Sequence, residues 1–261
     1  MSLVTYAVHQ RVATLMLNNP PANAYSTPMF EALDAAILKA RRDPDVDVLL
    51  LTGAGDRFFC AGADIDGLNT MAPDEKYYFC LHANETLLRL EHTPKLVIAA
   101  LNGHCVGGGL EVAMAADLRV ASQDMKGKIG LPEVALGVLP GTGGTQRLTQ
   151  LVGKTRAIEM MAEGNLMVAE EARALGLINQ LLPGADFMAS AQSYAERFCE
   201  PDKSSRAIGH IKRAVVSGGD LPLESGLALE RELQQRLFSG PDVKEGLAAY
   251  QAKRPPKFGS E

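Results

Sequence analysis

Three short apolar runs constrain this chain more than any other feature: VATLMLN (Val12 to Asn18), VDVLLLTG (Val46 to Gly53) and KLVIAALNG (Lys95 to Gly103). Each has the length and β-rich composition of a strand, and each runs into a loop rich in glycine or proline before a helical pattern begins. After the first comes the turn NPPANAYS and an amphipathic stretch from Thr27 to Arg42, with Ser26 or Thr27 suited to the N-cap and Pro28 to the first turn. After the second comes AGDRFFCAGADIDGL, read as a glycine-punctuated loop, and a long helix from Pro73 to Glu91 that stops before HTP. The third leads through GHCVGGG into a helix over Leu110 to Ala116.

Short strands and helices keep alternating through DLRVAS, GKIGLPEVAL and GVLPGTGGTQ to helices around Gln146 to Leu151 and Lys154 to Glu163, which places the chain in the α/β class. Beyond residue 195 the strand signal stops, and three helical segments with glycine or proline stops follow. The expected organisation is an α/β core over 1–195 and a helical region over 196–261. Leu223, Leu227, Leu229, Leu233 and Leu237 fall at mostly helical spacing, so this region must bury an apolar stripe. Its own domain and a neighbouring subunit are both open as the partner.

Composition narrows the partners. The 261 residues are 46% hydrophobic, carry a formal charge of −5 and contain no run of like charges, so neither a nucleic-acid footprint nor a membrane-surface patch is present. No apolar run approaches the roughly 18 residues of a membrane span, and the first residues lack a secretory pattern. The expected location is the cytoplasm. Cys60, Cys80, Cys105 and Cys199 form no CxxC pair and read as small buried hydrophobes. The histidines form no ligand pair; His82 and His92 read as helix-surface residues, and no metal site is expected.

The triple glycine Gly107-Gly108-Gly109 raises the entropic cost of ordering the backbone and so requires something to approach the main chain closely. FCAGAD and CVGGGLE both lead toward helix starts, where backbone N–H groups lack intrahelical acceptors and can hold an anion. Neither CVGGGLE nor PGTGGTQ has the spacing of a dinucleotide fingerprint or the GK[ST] of a phosphate loop. The remaining anion is a reaction intermediate: amides from two loops can stabilise a carbonyl oxygen as it gains charge. Proton transfer then needs acids and bases nearby. Glu111 sits in the first turn after the glycines, and Glu133 lies 133 − 111 = 22 positions later in a second loop rich in glycine and proline. Singly, Glu111 reads as a helix-dipole partner and Glu133 as a solvated loop residue; together, beside free amides, they read as an acid–base pair.

Four segments in order, FFCAGADI (Phe58 to Ile65), ALNGHCVGGGLEVAMAADLRVAS (Ala100 to Ser122), IGLPEVALGVLPGTGGTQRL (Ile129 to Leu148) and EGLAAYQAKRPPKF (Glu245 to Phe258), make the chain resemble the crotonase, or enoyl-CoA hydratase/isomerase, superfamily. The resemblance covers nearly the whole chain. It implies an α/β fold, a crotonase-like spiral of ββα repeats with a C-terminal helical trimerisation region, assembled as a homotrimer or a dimer of trimers. It implies an acyl-CoA substrate, coenzyme A being part of the thioester, and no prosthetic group or metal. The activity implied is syn addition of water to a trans-2-enoyl-CoA, of the kind used in β-oxidation, giving a 3-hydroxyacyl-CoA.

By the same resemblance, Ala63 and Gly108 supply the oxyanion amides, so a thioester carbonyl is what approaches the glycines. Glu111 is the expected base, Glu133 the expected acid, with shared or reversed roles open, and the Gly141 amide holds the water. Coenzyme A is expected on the backbone at Asn23, Ala24 and Tyr25, at Ala61, Asp64 and Ile65, and on Tyr250 and Lys253 reaching a neighbouring subunit. Many relatives carry a lysine shortly after GAD, where this chain has Ile65-Asp66. Tyr77, Tyr78 and Phe79 either border the acyl pocket or belong to the core. Alternatives are a Δ3,Δ2-enoyl-CoA isomerase, which needs one carboxylate at the position of Glu133, a branched-chain (methylglutaconyl-type) hydratase, and a non-catalytic acyl-CoA-binding protein.

Overall fold

A computed structural model describes residues 2–259. Its strands are β1 (Val4–His9), β2 (Val12–Leu17), β3 (Val48–Gly53), β4 (Phe58–Cys60), β5 (Leu96–Leu101), β6 (His104–Val106), β7 (Leu118–Ser122), β8 (Ile129–Gly130) and β9 (Gln180–Leu182). Its helices are α1 (Thr27–Arg42), α2 (Ile65–Thr70), α3 (Pro73–Glu91), α4 (Gly108–Met114), α5 (Gly144–Val152), α6 (Lys154–Glu163), α7 (Ala169–Ala174), α8 (Phe187–Glu196), α9 (Ser205–Gly218), α10 (Leu223–Phe238) and α11 (Pro241–Gln251), with a 3-10 turn at Glu133–Leu136.

The large sheet runs β1-β2-β3-β5-β7-β9, and all its pairs except β1–β2 are parallel. Its central strands are mostly apolar because both faces are covered. In β3, Leu49 and Leu51 join the main core under α1 and α3, while Val48 and Leu50 face the other way, toward Phe187, Ala191 and Ala195 of α8. The antiparallel edge is closed by Gln10 and Arg11, both left-handed (φ 48° and 64°), a two-residue turn whose twist suits the strands. Asp47 holds Arg11 there through bonds to Nε (2.6 Å) and Nη2 (2.9 Å).

The short strands form a second, parallel sheet, β4-β6-β8. The chain therefore passes repeatedly from a strand of the large sheet to one of the small sheet and then to a helix: β3, β4, α2; β5, β6, α4; β7, β8, the 3-10 turn. This is the spiral of ββα repeats. The stretch read as a plain loop before α3 contains β4 and α2, and α4 begins at Gly108 rather than Leu110 because Gly107, at φ 56°, turns the chain into the helix. Ser26 occupies the N-cap of α1, though its side chain makes no capping bond. His92 caps the end of α3, and His82, read as a surface residue, has its Nε2 buried.

The boundary drawn at 195 falls within the last turn of α8, which packs on the large sheet. Beyond it, α9 and α10 pack on each other; Leu233 is buried, whereas Leu223 and Leu227 of the same stripe are exposed in the single chain. One buried ion pair ties α9 to the core: Lys212 Nζ lies 2.8 Å from Asp117 Oδ2 and also donates to the carbonyl of Lys95 (3.1 Å). Burial pulls the Lys212 ammonium down and the Asp117 carboxyl up in pKa, the direction expected when solvation is lost. Asp117 Oδ2 also accepts from the Val97 amide at 2.7 Å. Asp117→Ala, which leaves a buried ammonium without its carboxylate, should destabilise the chain by about 3 kcal/mol. Lys212→Met should cost less, because Asp117 keeps the Val97 amide; urea unfolding of both variants checks the order.

Candidate active site

The three parallel strands of the small sheet each end at a residue singled out in the sequence. Ala63 follows the end of β4 by 63 − 60 = 3 residues, Gly108 follows β6 by 108 − 106 = 2, and Glu133 follows β8 by 133 − 130 = 3. Parallel pairing places these three ends side by side.

The glycines of β6–α4 are each required by a different neighbour. A Cβ on Gly107 would stand 3.0 Å from Glu133 Oε1; one on Gly108 would fall on the Tyr25 hydroxyl, and one on Gly109 on the Cys60 carbonyl oxygen. The groups that come so close to this main chain are therefore the protein's own. The side chain missing from Gly108 leaves room for the Tyr25 hydroxyl, a steric reason for the glycine that the sequence did not show. What Gly108 leaves open is its N–H, which, at the first position of α4, donates to no protein acceptor among the described residues. The Ala63 N–H is likewise free. The two are neighbours: Gly62 lies at φ 92°, and a Cβ on it would stand 3.1 Å from Gly108 N. Tyr25 fixes this arrangement through a parallel bridge, its N–H donating to Gly62 O (2.8 Å) and its carbonyl accepting from the Asp64 N–H (2.9 Å).

Glu111, one turn into α4, is 2% exposed. Its Oε1 accepts the N–H of Thr142 at 2.7 Å and of Gly144 at 2.6 Å. PGTGG is thus a carboxylate cradle, and Gly144 must lack a side chain because a Cβ would stand 2.9 Å from that oxygen. Arg147, buried in α5, braces the cradle from behind: Nη1 donates to Thr142 O (3.0 Å) while Nε and Nη2 grip Glu91 at 2.8 and 2.7 Å. Gly141, expected to use its amide, makes no bond to Glu111; its carbonyl accepts from Asn84 Nδ2 at 3.4 Å and its N–H is without a protein acceptor among the described residues.

The two carboxyls are supported unequally. Burial raises the pKa of Glu111, against which the Gly144 and Thr142 amides, the Thr142 hydroxyl and the Arg147 charge all pull down. Glu133 is raised to about 7, chiefly by burial and in lesser part by the Glu111 charge, against the pull of its own backbone N–H. Glu133 Oε2 is buried without a hydrogen-bond partner. When the pair holds one proton, that proton resides on Glu133 and the charge on Glu111.

The remaining predicted residues divide. Asn23 is a loop clamp: at φ 51° its buried side chain donates to Ala54 O (3.0 Å) and Phe58 O (2.9 Å). The Ala24 carbonyl accepts from Asn19 Nδ2 (2.6 Å), and the Tyr25 backbone is spent on the bridge, so little of this stretch is left for a ligand except the Ala24 N–H. Ala61 donates its N–H to Ala22 O (3.1 Å). Asp64 stands at the N-cap of α2, and Ile65 behind it is exposed. Tyr250 and Lys253 stand exposed at the end of α11, which packs chiefly on α10. Phe79 is buried, stacked on Tyr25 at 5.8 Å, whereas Tyr77 and Tyr78 are exposed. Among the described residues no cluster of His, Cys, Asp and Glu could hold a metal ion.

Sequence reasoning missed the Thr142 and Gly144 amides, Arg147 and the Tyr25 hydroxyl. The signal for the first two was in plain view, since Gly143-Gly144 opens α5 and its unpaired amides require an acceptor.

Comparison with known proteins assigns the family. The family model for enoyl-CoA hydratase/isomerase matches residues 7–261. A probable enoyl-CoA hydratase of Bacillus subtilis is 36% identical over 263 residues, covering 100% of both chains. The short-chain-enoyl-CoA hydratase of Clostridium acetobutylicum is 36% identical over 245 residues, covering 94% of this chain and 92% of its own. A solved enoyl-CoA hydratase structure from Geobacillus kaustophilus superposes with a TM-score of 0.95 at 40% identity, covering 100% of this chain and 98% of that one. With the small-sheet strand ends, the free amides and both glutamates in place, the chain belongs to the enoyl-CoA hydratase/isomerase family.

Proposed function

We propose that this protein hydrates a trans-2-enoyl-CoA thioester to the 3-hydroxyacyl-CoA. The observation that carries the reading is the unequal support of Glu111 and Glu133: one carboxyl is held as an anion by amides, the other is kept as an acid by burial. Hydration needs one of each. The thioester oxygen accepts the Ala63 and Gly108 N–H groups, which polarises the enoyl system and stabilises the enolate oxygen as negative charge develops. Glu111 takes a proton from water, the hydroxide oxygen bonds to Cβ, and the electron pair of the alkene moves toward Cα and the thioester oxygen. Glu133 delivers its proton to Cα. One water has been added; Glu111 leaves protonated and Glu133 ionised, and exchange with solvent restores the pair. The Gly141 N–H is free to hold the water.

A Δ3,Δ2-enoyl-CoA isomerase needs a single carboxylate as its proton shuttle, and the built cradle around Glu111 favours the hydratase. Coenzyme A is assigned to the Ala24 N–H, the Ala61 to Ile65 segment, and Tyr250 and Lys253 of a neighbouring subunit. A homotrimer or dimer of trimers accounts for the apolar side chains that Ile211, Val215, Leu223 and Leu247 present to solvent in the single chain. The cytoplasm is the proposed location. Equilibrium sedimentation should give a mass three or six times that of the 27.9 kDa chain, and a monomer would exclude this assembly.

Product analysis with crotonyl-CoA and a 3-enoyl-CoA separates hydration from isomerisation. Glu111→Gln and Glu133→Gln should each lower hydration by roughly 100-fold or more, the usual contribution of a positioned acid or base. Near-normal hydration by either variant would end the two-carboxylate mechanism. Activity requires Glu111 ionised and Glu133 protonated, so kcat/KM should rise on the acid side as Glu111 loses its proton and fall as pH passes about 7, where Glu133 ionises. A flat profile through neutral pH would contradict these roles.

A further inference from the structure

Tyr25 touches both oxyanion loops and the Glu111 cradle, yet no step of the reaction employs it. Its backbone brackets Ala63 through the bonds to Gly62 O and Asp64 N. Its hydroxyl lies against the Cα of Gly108, in the space a side chain would fill. The same hydroxyl shares a buried 3.1 Å hydrogen bond with Thr142 Oγ1, and the Thr142 N–H is one of the two donors to Glu111. We propose that Tyr25 is a positioning residue that keeps the two oxyanion amides and the Glu111 carboxylate in a single register.

The local packing suits that role. The ring is held edge-on by Phe30 at 4.7 Å and stacked by Phe79 at 5.8 Å, which leaves the hydroxyl one place to go. Only 5% of the residue is exposed, so water does not compete for the bond to Thr142. Burial and the Glu111 charge hold the phenol well above its ordinary pKa, so it stays a neutral hydroxyl while the carboxyls titrate. A neutral phenol performs no proton transfer in this reaction, and its contribution is geometric. Removing it leaves the Thr142 hydroxyl without this partner and lets the cradle shift relative to Gly108. The charged and titratable groups facing Glu111 are Arg147 of α5, Glu133 of the 3-10 turn, Cys80 of α3 and Tyr25 itself, and Cys60 of β4 faces Tyr25.

Tyr25→Phe keeps the ring and removes the hydroxyl; Thr142→Val removes the other partner and keeps the backbone N–H. Both rate predictions rest on the hydratase reading, so the test adds a readout that does not. Each variant should lower kcat by about tenfold, the worth of one buried hydrogen bond, with KM little changed. In 13C-glutamate NMR titrations, the Glu111 signal, identified by its loss in Glu111→Gln, should move to higher pH, since the anion loses support. The double variant should be no slower than the worse single one, because both changes break the same bond. An unmoved Glu111 titration in Tyr25→Phe, unchanged kcat, or additive losses would overturn the proposal; Thr142→Val also loses the hydroxyl that supports Glu111 directly, so its titration shift is not counted. Should the wild-type protein hydrate no enoyl-CoA, the hydratase reading falls and the NMR titration alone decides the role of Tyr25. If Tyr25→Phe does not fold, Phe79→Leu, which loosens the stacked Tyr25 ring and leaves the Thr142 hydroxyl in place, carries the decision: it should lower kcat and move the Glu111 titration, and no change in either would overturn the proposal.

Discussion

A carboxylate buried in a protein interior is tolerable only where its charge is met by fixed donors, and the rest of this site is arranged around that requirement at Glu111. Taking it out of water without partners would cost several kcal/mol or leave it protonated. The two amides of the Thr142–Gly144 loop meet the need, and they can do so only because residue 144 has no side chain and because Gly143, at φ 101°, turns the chain so that both N–H groups face the same oxygen. Arg147 then closes the far side, tied to Glu91 and to the Thr142 carbonyl. Each piece answers the charge of one residue on α4.

Glu133 shows the same physics with the donors withheld. It is less deeply buried than Glu111, yet it is the group raised to about 7, because one of its oxygens is enclosed without a partner and Glu111 repels its charge. Burial alone would have ranked the pair the other way. The number of donors decides: two loop amides serve Glu111, and only its own backbone N–H serves Glu133. Placing both groups on one rigid frame therefore produces an ionised and a neutral carboxyl at the same pH.

Much of this was legible in the amino-acid sequence, and what escaped has a physical reason. The long helices α1 and α3 and the large-sheet strands β2, β3 and β5 were readable because they last long enough to show a pattern: six buried residues in β3, nineteen residues in α3. The small sheet was not, because β4 and β6 have three residues each and β8 two, too few for any periodicity. The glycines and glutamates stood out as chemistry, but their reasons did not. That Gly108 yields to Tyr25, and Gly107 to Glu133, depends on residues 108 − 25 = 83 and 133 − 107 = 26 positions away, a separation that only the folded chain closes. The amide cradle escaped because the resemblance assigned this loop to the water alone, through Gly141, whereas the donors to Glu111 lie one and three residues beyond it.

The smallness of the second sheet is itself informative. Strands of two or three residues contribute little stability alone, since each forms only a few ladder bonds and covers little apolar surface. Their ends nevertheless carry Ala63, Gly108 and Glu133, and parallel pairing sets those ends about one strand spacing apart, roughly 4.8 Å. In the proposed reaction, an oxygen gripped by the first two amides would lie on the same side as the third residue's carboxyl. The long sheet and its helices make the chain stable, and the short sheet, supported by that stability, sets the distances on which the chemistry depends. A single register slip between β4 and β6 would turn Phe59 and Cys60 out of the main core and move the Ala63 amide away from its partner, and the bridge at Tyr25, outside both strands, ties the Ala63 segment down a second time.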